Sequence, residues 1–301
     1  MPACLSCWYG PLPMPETIPV RVLRTDDHAR DSAGFTYVYP VISRRAGGVS
    51  IGINLNPNNA CNWRCVYCQV PDLQRGGPPP IDLAQLESEL NAMLQQIVQG
   101  DFMQTRVPEG ARRINDVAFS GNGEPTMSPE FGAALVIVER LLAAFGLLGQ
   151  IKLVVISNGS QLYKPEVLNV LEHIGRINGE LWFKIDRAPQ DGFSPVNQVQ
   201  LKHDAVARHL VAAAERCATW VQTCMFALDG ELPGEQEVAD YVAFIAEMKR
   251  QAPSLRGVLL YGLARPSMQQ EAPRLSAAPA EWMQALAERV SAQGLEVKLS
   301  V

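Results

Sequence analysis

The feature of this sequence that most constrains its fold is a series of apolar strand segments alternating with amphipathic helices. The predicted strands lie at 49–55, 114–120, 151–156, 181–185, 220–226 and 258–263, and the predicted helices lie at 83–97, 128–145, 165–174, 201–218, 234–248 and 280–290. Apolar strands separated by helices pair in parallel, and right-handed crossovers place the helices outside the sheet. We therefore predict an α/β fold whose sheet is either doubly wound or curved into a barrel.

The composition excludes a disordered chain and gives no sign of a surface that binds nucleic acid. The 301 residues are 47% hydrophobic, which is enough to bury a large core. The net charge is −5, and the sequence contains no run of five basic residues. Because phosphate contacts need clustered Lys and Arg, a nucleic-acid partner is not indicated.

Targeting segments are not evident either. The sequence starts without a basic and apolar leader, and its most apolar stretch, 131–148, is interrupted by Glu139, Arg140 and Gly146. Seven cysteines, three of them crowded together, argue against a disulfide framework. We expect reduced thiols, a cytoplasmic location and no membrane partner.

The three crowded cysteines follow the first strand and precede the first helix. Cys61, Cys65 and Cys68 form a C-x3-C-x2-C loop. Soft sulfur ligands select zinc or an iron–sulfur cluster, and a structural zinc takes four protein ligands. A cluster held by three cysteines leaves one iron open to a small molecule. The loop therefore favours a cluster that binds and activates a ligand.

Two polar segments follow the second and third strands, at the edge where parallel sheets bind ligands. The first consists of Gly121, Asn122, Gly123, Glu124 and Pro125. The second is Ser157-Asn158-Gly159. Glycines permit close approach of backbone to a ligand, and a carboxylate accepts from an ammonium group. For the Asn-Gly pair a plain turn and a ligand contact are equally open.

The cysteine loop resembles that of the radical S-adenosylmethionine (SAM) superfamily, in which an aromatic residue precedes the last cysteine. Tyr67 has that place here. The resemblance implies a [4Fe-4S] cluster held by Cys61, Cys65 and Cys68. It also implies that the methionyl amino and carboxylate groups of SAM chelate the fourth iron, and that reduction yields a 5′-deoxyadenosyl radical.

The segments after the second and third strands extend the resemblance. Gly121 to Pro125 is similar to the G-G-E-P-like segment that binds the amino group of SAM, with Asn122 where glycine is commoner. Ser157 and Asn158 are similar to the family's S/T-N-G segment. Together with 39–45 and 264–266, the sequence looks like the wyosine-synthase-related branch of Fe–S oxidoreductases. The resemblance implies a partial (β/α)6 TIM-like barrel of parallel strands.

Three regions are predicted from this resemblance. Residues 1–38 form an irregular N-terminal extension, 39–275 form the radical SAM core, and 276–301 add a C-terminal helix and strand packed on the core. The implied activity is hydrogen abstraction from a small-molecule or peptide substrate, with an external electron donor of flavodoxin or ferredoxin type. A tRNA-modifying radical enzyme and a non-catalytic iron–sulfur carrier or sensor are the alternatives.

The remaining candidate residues have no assigned chemistry. Cys4 and Cys7 form a C-x2-C pair without a partner pair, and Cys217 and Cys224 are interpreted as buried thiols. Polar residues at later strand ends are weak site candidates. They are Lys184, Asp186, Thr223, Tyr261 and Arg265. Arg44 and Arg45 are expected to serve the fold or a local anionic group, and Trp182, Phe183, Trp220 and Phe226 are predicted to be core.

Overall fold

The computed structural model describes residues 22–24, 33–43 and 47–301. Its strands are β1 (Val38–Ser43), β2 (Gly48–Ile53), β3 (Ala60–Cys61), β4 (Gln74–Arg75), β5 (Ile114–Phe119), β6 (Lys152–Ser157), β7 (Glu180–Lys184), β8 (Gly192–Ser194), β9 (Val199–Leu201), β10 (Ala218–Leu228), β11 (Gly257–Gly262), β12 (Leu275–Ala277) and β13 (Glu296–Ser300). Its α-helices are α1 (Leu83–Val98), α2 (Phe102–Thr105), α3 (Phe131–Ala144), α4 (Pro165–Arg176), α5 (His203–Ala214), α6 (Glu235–Gln251) and α7 (Ala280–Ser291).

The main sheet follows the order of the chain. Its strands are arranged β1-β2-β5-β6-β7-β10-β11-β13, and β12 pairs with β10 outside this path. All neighbours from β2 to β13 are parallel. Because each crossover helix returns the chain to the next strand, the sheet curls into a half-barrel with helices outside. The predicted partial (β/α)6 barrel is confirmed.

Helix α1 illustrates why the sequence forms these elements. Asp82 caps its first turn by accepting from the Gln85 backbone N–H at 3.0 Å. Leu86, Leu90 and Met93 recur at helical spacing and are completely buried in the core. The helix thus covers the sheet with one apolar face.

Strand β1 was not predicted, since the first forty residues give no regular pattern. It pairs antiparallel with β2, so that Tyr39 lies opposite Gly52. The buried carboxylate of Glu89 on α1 accepts the backbone N–H groups of Thr36, Tyr37 and Val38, at 2.7–3.2 Å. This long-range contact fixes the approach to β1, and sequence periodicity cannot reveal it.

Three helix boundaries were predicted wrongly, two on α5 and one on α3. The helix expected at 201–218 is α5, which begins at His203 because Leu201 ends the small β8–β9 hairpin. It ends at Ala214, and the chain enters β10 four residues later. Likewise α3 begins at Phe131 and not at Ser128, which instead accepts from the Glu130 backbone N–H at 3.3 Å.

The C-terminal helix and strand continue the main sheet. β13 pairs in parallel with β11, and the buried side of α7 includes Met283, Leu286 and Val290. The division at residues 38 and 275 stays a prediction. Among the helices of the described residues, none combines the length and apolar character needed to cross a membrane.

Candidate functional site

A large cavity opens at the carboxyl edge of the curled sheet and extends into the barrel. Its volume is about 1070 Å³. The predicted site residues that line it are Cys61, Cys65, Tyr67, Cys68, Gly121, Asn122, Gly123, Glu124 and Asn158. Pro125 and Ser157 are buried just behind this lining. The structure therefore gathers residues from three separate loops around one space.

The cysteine loop is held on one side by the β8–β9 hairpin. The backbone N–H of Arg64 donates to the Asn197 carbonyl at 3.2 Å, and that of Val66 donates to the Val196 carbonyl at 2.9 Å. The guanidinium of Arg64 also bonds Glu271 at 2.8 Å. These contacts fix the loop in place by backbone pairing and one ion pair.

The segment after β11 holds the loop on its other side. The hydroxyl of Ser267 donates to the Val66 carbonyl at 2.7 Å, and the Met268 backbone N–H donates to the Cys68 carbonyl at 2.9 Å. The amide of Gln269 donates to the Val70 carbonyl at 2.9 Å. The three cysteines are thus preorganised by segments more than 100 residues away in sequence.

The three cysteines are buried or half-buried thiols that have to lose their protons before they bind a metal. Burial raises the pKa of Cys61 to about 12 and that of Cys65 to about 11. Metal ligands must be thiolates, so a bound metal has to displace these protons. Three soft thiolates fit an iron–sulfur cluster, in which each thiolate would bind a different iron.

Packing requires glycine at two positions after β5, which the sequence did not indicate. A Cβ on Gly121, whose φ is +143°, would lie 2.4 Å from Asn54 Oδ1, and one on Gly123 would lie 2.2 Å from the Ala60 carbonyl oxygen. Glycine is therefore required for this turn to pack against the loop at 54–60. The turn is thereby brought beside the cysteine loop.

Glu124 is fully buried and braces the ends of β5 and β6. Its carboxylate accepts from the backbone N–H and hydroxyl of Thr126, from the Ser157 hydroxyl at 2.7 Å and from the Asn158 backbone N–H at 2.6 Å. Burial raises the pKa of Glu124, although these hydrogen bonds oppose the rise. A carboxylate offers about four acceptor positions, so the protein already uses most of them. Its direct contact with a ligand stays a prediction.

Asn122 and Asn158 present amides beside the cysteine loop. The Asn122 amide N–H donates to Asn59 Oδ1 at 2.6 Å, while its own Oδ1 is buried without a hydrogen-bond partner. The Asn158 amide donates to Asn62 Oδ1 at 2.9 Å. A buried acceptor without a donor is costly, so the Asn122 oxygen is suited to an ammonium or hydroxyl donor from a ligand.

Tyr67 connects the cysteine loop with the end of β7. Its hydroxyl donates to Asp186 at 2.5 Å and accepts from the Lys184 ammonium at 2.6 Å. Burial opposes the charge of Lys184, but Tyr261 and Asp186 hold the pKa of its ammonium well above the usual range. The Lys184 ammonium thus lines the cavity beside the cysteine loop.

Several residues of the cavity were missed or misjudged. Trp182 was predicted to be core, yet it is half-buried and lines the cavity, whereas Phe183 is buried in the core. Gln222 and Cys224 on β10 line the cavity too. The available signal was alternation: 182 and 184 on β7 and 222 and 224 on β10 share the inner face, because strand side chains alternate.

Of the remaining cysteines and arginines that the sequence singled out, the structure describes some and not others. Cys217 is a buried free thiol away from the cavity, as expected for an idle side chain. Cys4, Cys7, Arg44 and Arg45 lie outside the described residues, so the predictions made for them stay predictions.

Comparisons with known proteins agree with this geometry. Residues 55–181 match the family described as the Radical SAM superfamily, a segment that contains the cysteine loop, the turn after β5 and Asn158. A UPF0026 protein from Helicobacter pylori is 26% identical over 160 residues, which are 53% of this chain and 45% of that protein, and a second strain has the same match. The chain thus spans less than half the length of these relatives.

Two solved structures share the fold. One is described as TYW1 with a lysine-pyruvate adduct bound. It is 17% identical, covers 83% of this chain and 74% of its own, and has a TM-score of 0.52. The other is a radical SAM methyltransferase from Sphaerobacter thermophilus, 13% identical over 87% of this chain and 68% of its own, with a TM-score of 0.54. At these identities the likeness concerns architecture alone.

Proposed function

We propose that this chain, whose residues 55–181 match the Radical SAM superfamily, binds one [4Fe-4S] cluster and one molecule of SAM, and that it abstracts hydrogen from a substrate inside the barrel. The observation that carries this proposal is the shared cavity. It brings the C-x3-C-x2-C thiols together with a partnerless acceptor on Asn122 and a cation on Lys184.

Cys61, Cys65 and Cys68 are proposed as the three cluster ligands. They come from one loop, they line the cavity, and backbone contacts on both sides fix that loop. When bound, the cluster supplies the electron for reductive cleavage of SAM to a 5′-deoxyadenosyl radical. The electron itself has to come from an external donor of flavodoxin or ferredoxin type.

The polar residues around the loop are proposed to orient the methionyl end of SAM. An amino group needs acceptors, which Asn122 Oδ1 supplies, and a carboxylate needs a cation, which Lys184 supplies. Glu124 holds Ser157 and Asn158 in place, and Asn158 in turn bonds Asn62 of the cysteine loop. Gly121, Gly123 and Pro125 give the turn its shape, and Tyr67 positions the Lys184 ammonium.

The inner part of the cavity is proposed as the substrate chamber. Ser50, Asp116 and Gln222 lie three to six residues before the ends of their strands and line this part with polar groups. The basic residues among the described cavity lining are Lys184 and Arg265. Because a polynucleotide needs many more phosphate contacts, this lining favours a small molecule or a peptide.

The second candidate is a tRNA-modifying radical enzyme. The fold similarity to TYW1 favours it, although the net charge of −5 does not. A titration with transfer RNA over a range of salt concentrations separates the two candidates. Weak binding with little salt dependence is expected, and salt-sensitive binding at micromolar concentration or tighter would put the tRNA substrate first.

The proposed chemistry is tested by anaerobic reconstitution with iron and sulfide. The reduced protein is incubated with SAM, and 5′-deoxyadenosine and methionine are quantified by chromatography. The wild-type protein should form both products, whereas Cys65→Ala should lack the cluster absorbance and both products. Cys217→Ala is the matched control, because Cys217 is a free buried thiol away from the cavity. A loaded wild-type protein that forms neither product would favour the electron carrier or sensor.

A further inference from the structure

One buried side chain outside the cysteine loop contacts a predicted cluster ligand. Asn197 lies on the turn of the β8–β9 hairpin, and its relative exposure is 2%. Its amide N–H donates to Cys65 Sγ at 3.2 Å and to Asp186 Oδ2 at 2.8 Å. None of the sequence patterns indicated this residue, because the hairpin is 132 residues away from Cys65.

The orientation of the Asn197 amide is determined by its surroundings. Asp186 accepts from the Tyr67 hydroxyl at 2.5 Å and from the Cys224 backbone N–H at 2.9 Å, so its carboxylate is fixed as an acceptor. A carboxylate oxygen and a thiolate sulfur both require a donor. The nitrogen of the amide, and not its oxygen, must therefore face both groups.

We infer that Asn197 is a positioning residue that raises the reduction potential of the cluster through its N–H···S hydrogen bond to Cys65. This inference rests on the proposed function, since it assumes the cluster. A reduced cluster carries one more negative charge than an oxidised one. The hydrogen bond therefore stabilises the reduced state more, and hydrogen bonds to the sulfurs are one of the factors that set cluster potentials.

The surroundings of Cys65 strengthen this effect. Cys65 is buried in an apolar cluster that includes Trp63, Val66 and Phe226. In such a low-dielectric environment an N–H dipole acts more strongly on a nearby charge than it does in water. The backbone N–H of Trp63 lies 3.4 Å from Cys61 Sγ, so Cys61 has a weaker donor of the same kind.

Two adjacent residues of the hairpin contact the cysteine loop in different ways: the Val196 side chain packs against it, and the Asn197 side chain donates a hydrogen bond to it. Val196 packs in the apolar cluster and accepts the Val66 backbone N–H, but its side chain has no polar atom to offer the thiolate. Asn197 supplies the amide. Val196→Ala reduces the apolar packing between the hairpin and the cysteine loop but leaves the N–H···S bond in place. It is therefore the matched control for an effect of packing alone.

The test compares wild-type protein, Asn197→Leu, Asn197→Ser and Val196→Ala, each reconstituted with the cluster and free of SAM. Midpoint potentials are measured by redox titration with electron paramagnetic resonance detection. In both Asn197 variants the ratio of reduced to oxidised cluster at the wild-type midpoint should be about tenfold lower, which is a shift of about 59 mV to more negative potential. The potential of Val196→Ala should equal that of the wild type.

Two results would overturn the inference while leaving the proposed function intact. One is that both Asn197 variants take up the cluster and have the same midpoint potential as the wild-type protein. The other is loss of cluster uptake in both variants while Val196→Ala loads normally, since Asn197 would then hold the loop and not tune it. A wild-type protein that takes up no four-iron cluster would instead refute the proposed function itself.

Discussion

Replacing Glu124 by Gln tests the brace between the ends of β5 and β6. The carboxylate accepts four hydrogen bonds, from Thr126, Ser157 and Asn158. The amide of Gln keeps one acceptor oxygen but directs N–H groups toward donors that have no other partner in the site. Leaving buried donors unsatisfied costs about 1–3 kcal/mol. At about 2 kcal/mol the thermal midpoint should fall by roughly 3 °C for a chain of this length.

The pH dependence of this loss has a definite sign. Because burial raises the pKa of Glu124, the native protein binds this proton more tightly than the unfolded chain does. The contribution of Glu124 to stability therefore decreases as pH rises above its ordinary pKa of 4.5 and levels off once the folded pKa is passed. Gln does not titrate. The difference in free energy of unfolding between wild type and Glu124→Gln should accordingly narrow as pH rises through that window.

The assay combines thermal unfolding of the protein without cluster with calorimetry of SAM binding to the cluster-loaded protein. Glu124→Gln should keep its cluster and lose about tenfold in SAM affinity, about 1.4 kcal/mol, because Asn158 is no longer held. Glu109→Gln, at an exposed position without a side-chain hydrogen bond, is the matched control. Unchanged stability together with unchanged affinity would refute the assignment of Glu124 as a brace at the cofactor site.

Three further substitutions probe the same cavity. Lys184→Met should weaken SAM binding at least tenfold by calorimetry, whereas Lys184→Arg should retain part of it; equal affinities would exclude an ammonium contact. Tyr67→Phe removes a donor to Asp186 and an acceptor for Lys184, so urea unfolding should show a loss of about 1–3 kcal/mol. Gly123→Ala places a Cβ 2.2 Å from the Ala60 carbonyl oxygen, so cluster uptake and stability should both fall, whereas exposed Gly110→Ala, with open space around its Cβ, should change neither.

The six βα units could be predicted because their evidence is local. Apolar runs, helical spacing and the Asp82 cap are properties of short stretches, and the structure has all six strands and helices in the predicted order. β1 could not be predicted, since its position depends on Glu89, which lies about fifty residues away. The β8–β9 hairpin was not predicted either, because strands of three residues are too short to show an alternating pattern.

The candidate site was predictable in outline but not in its contacts. The C-x3-C-x2-C spacing was enough to predict that Cys61, Cys65 and Cys68 belong to one site. The positions of residues 121–125 and 157–158 at the ends of strands indicated that they belong to the same site. The sequence interpretation assigned Glu124 to a ligand, which stays a prediction, and it did not indicate that this carboxylate also accepts hydrogen bonds from Ser157 and Asn158 at the end of β6. Burial and hydrogen-bond saturation depend on the assembled tertiary structure, so they are not encoded in any motif.

The way the cysteine loop is held determines what can be expected of the protein before it receives a cluster. Backbone N–H groups of the loop donate to carbonyls of the β8–β9 hairpin, and the segment around Ser267 donates to carbonyls of the loop. Neither set of contacts uses a cysteine sulfur. The loop should therefore keep its conformation when the thiols are protonated, and little ordering entropy remains to be lost when iron binds. Under our inference, the hydrogen bond from Asn197 to Cys65 Sγ acts on the reduction potential of the cluster and is not needed to shape the loop.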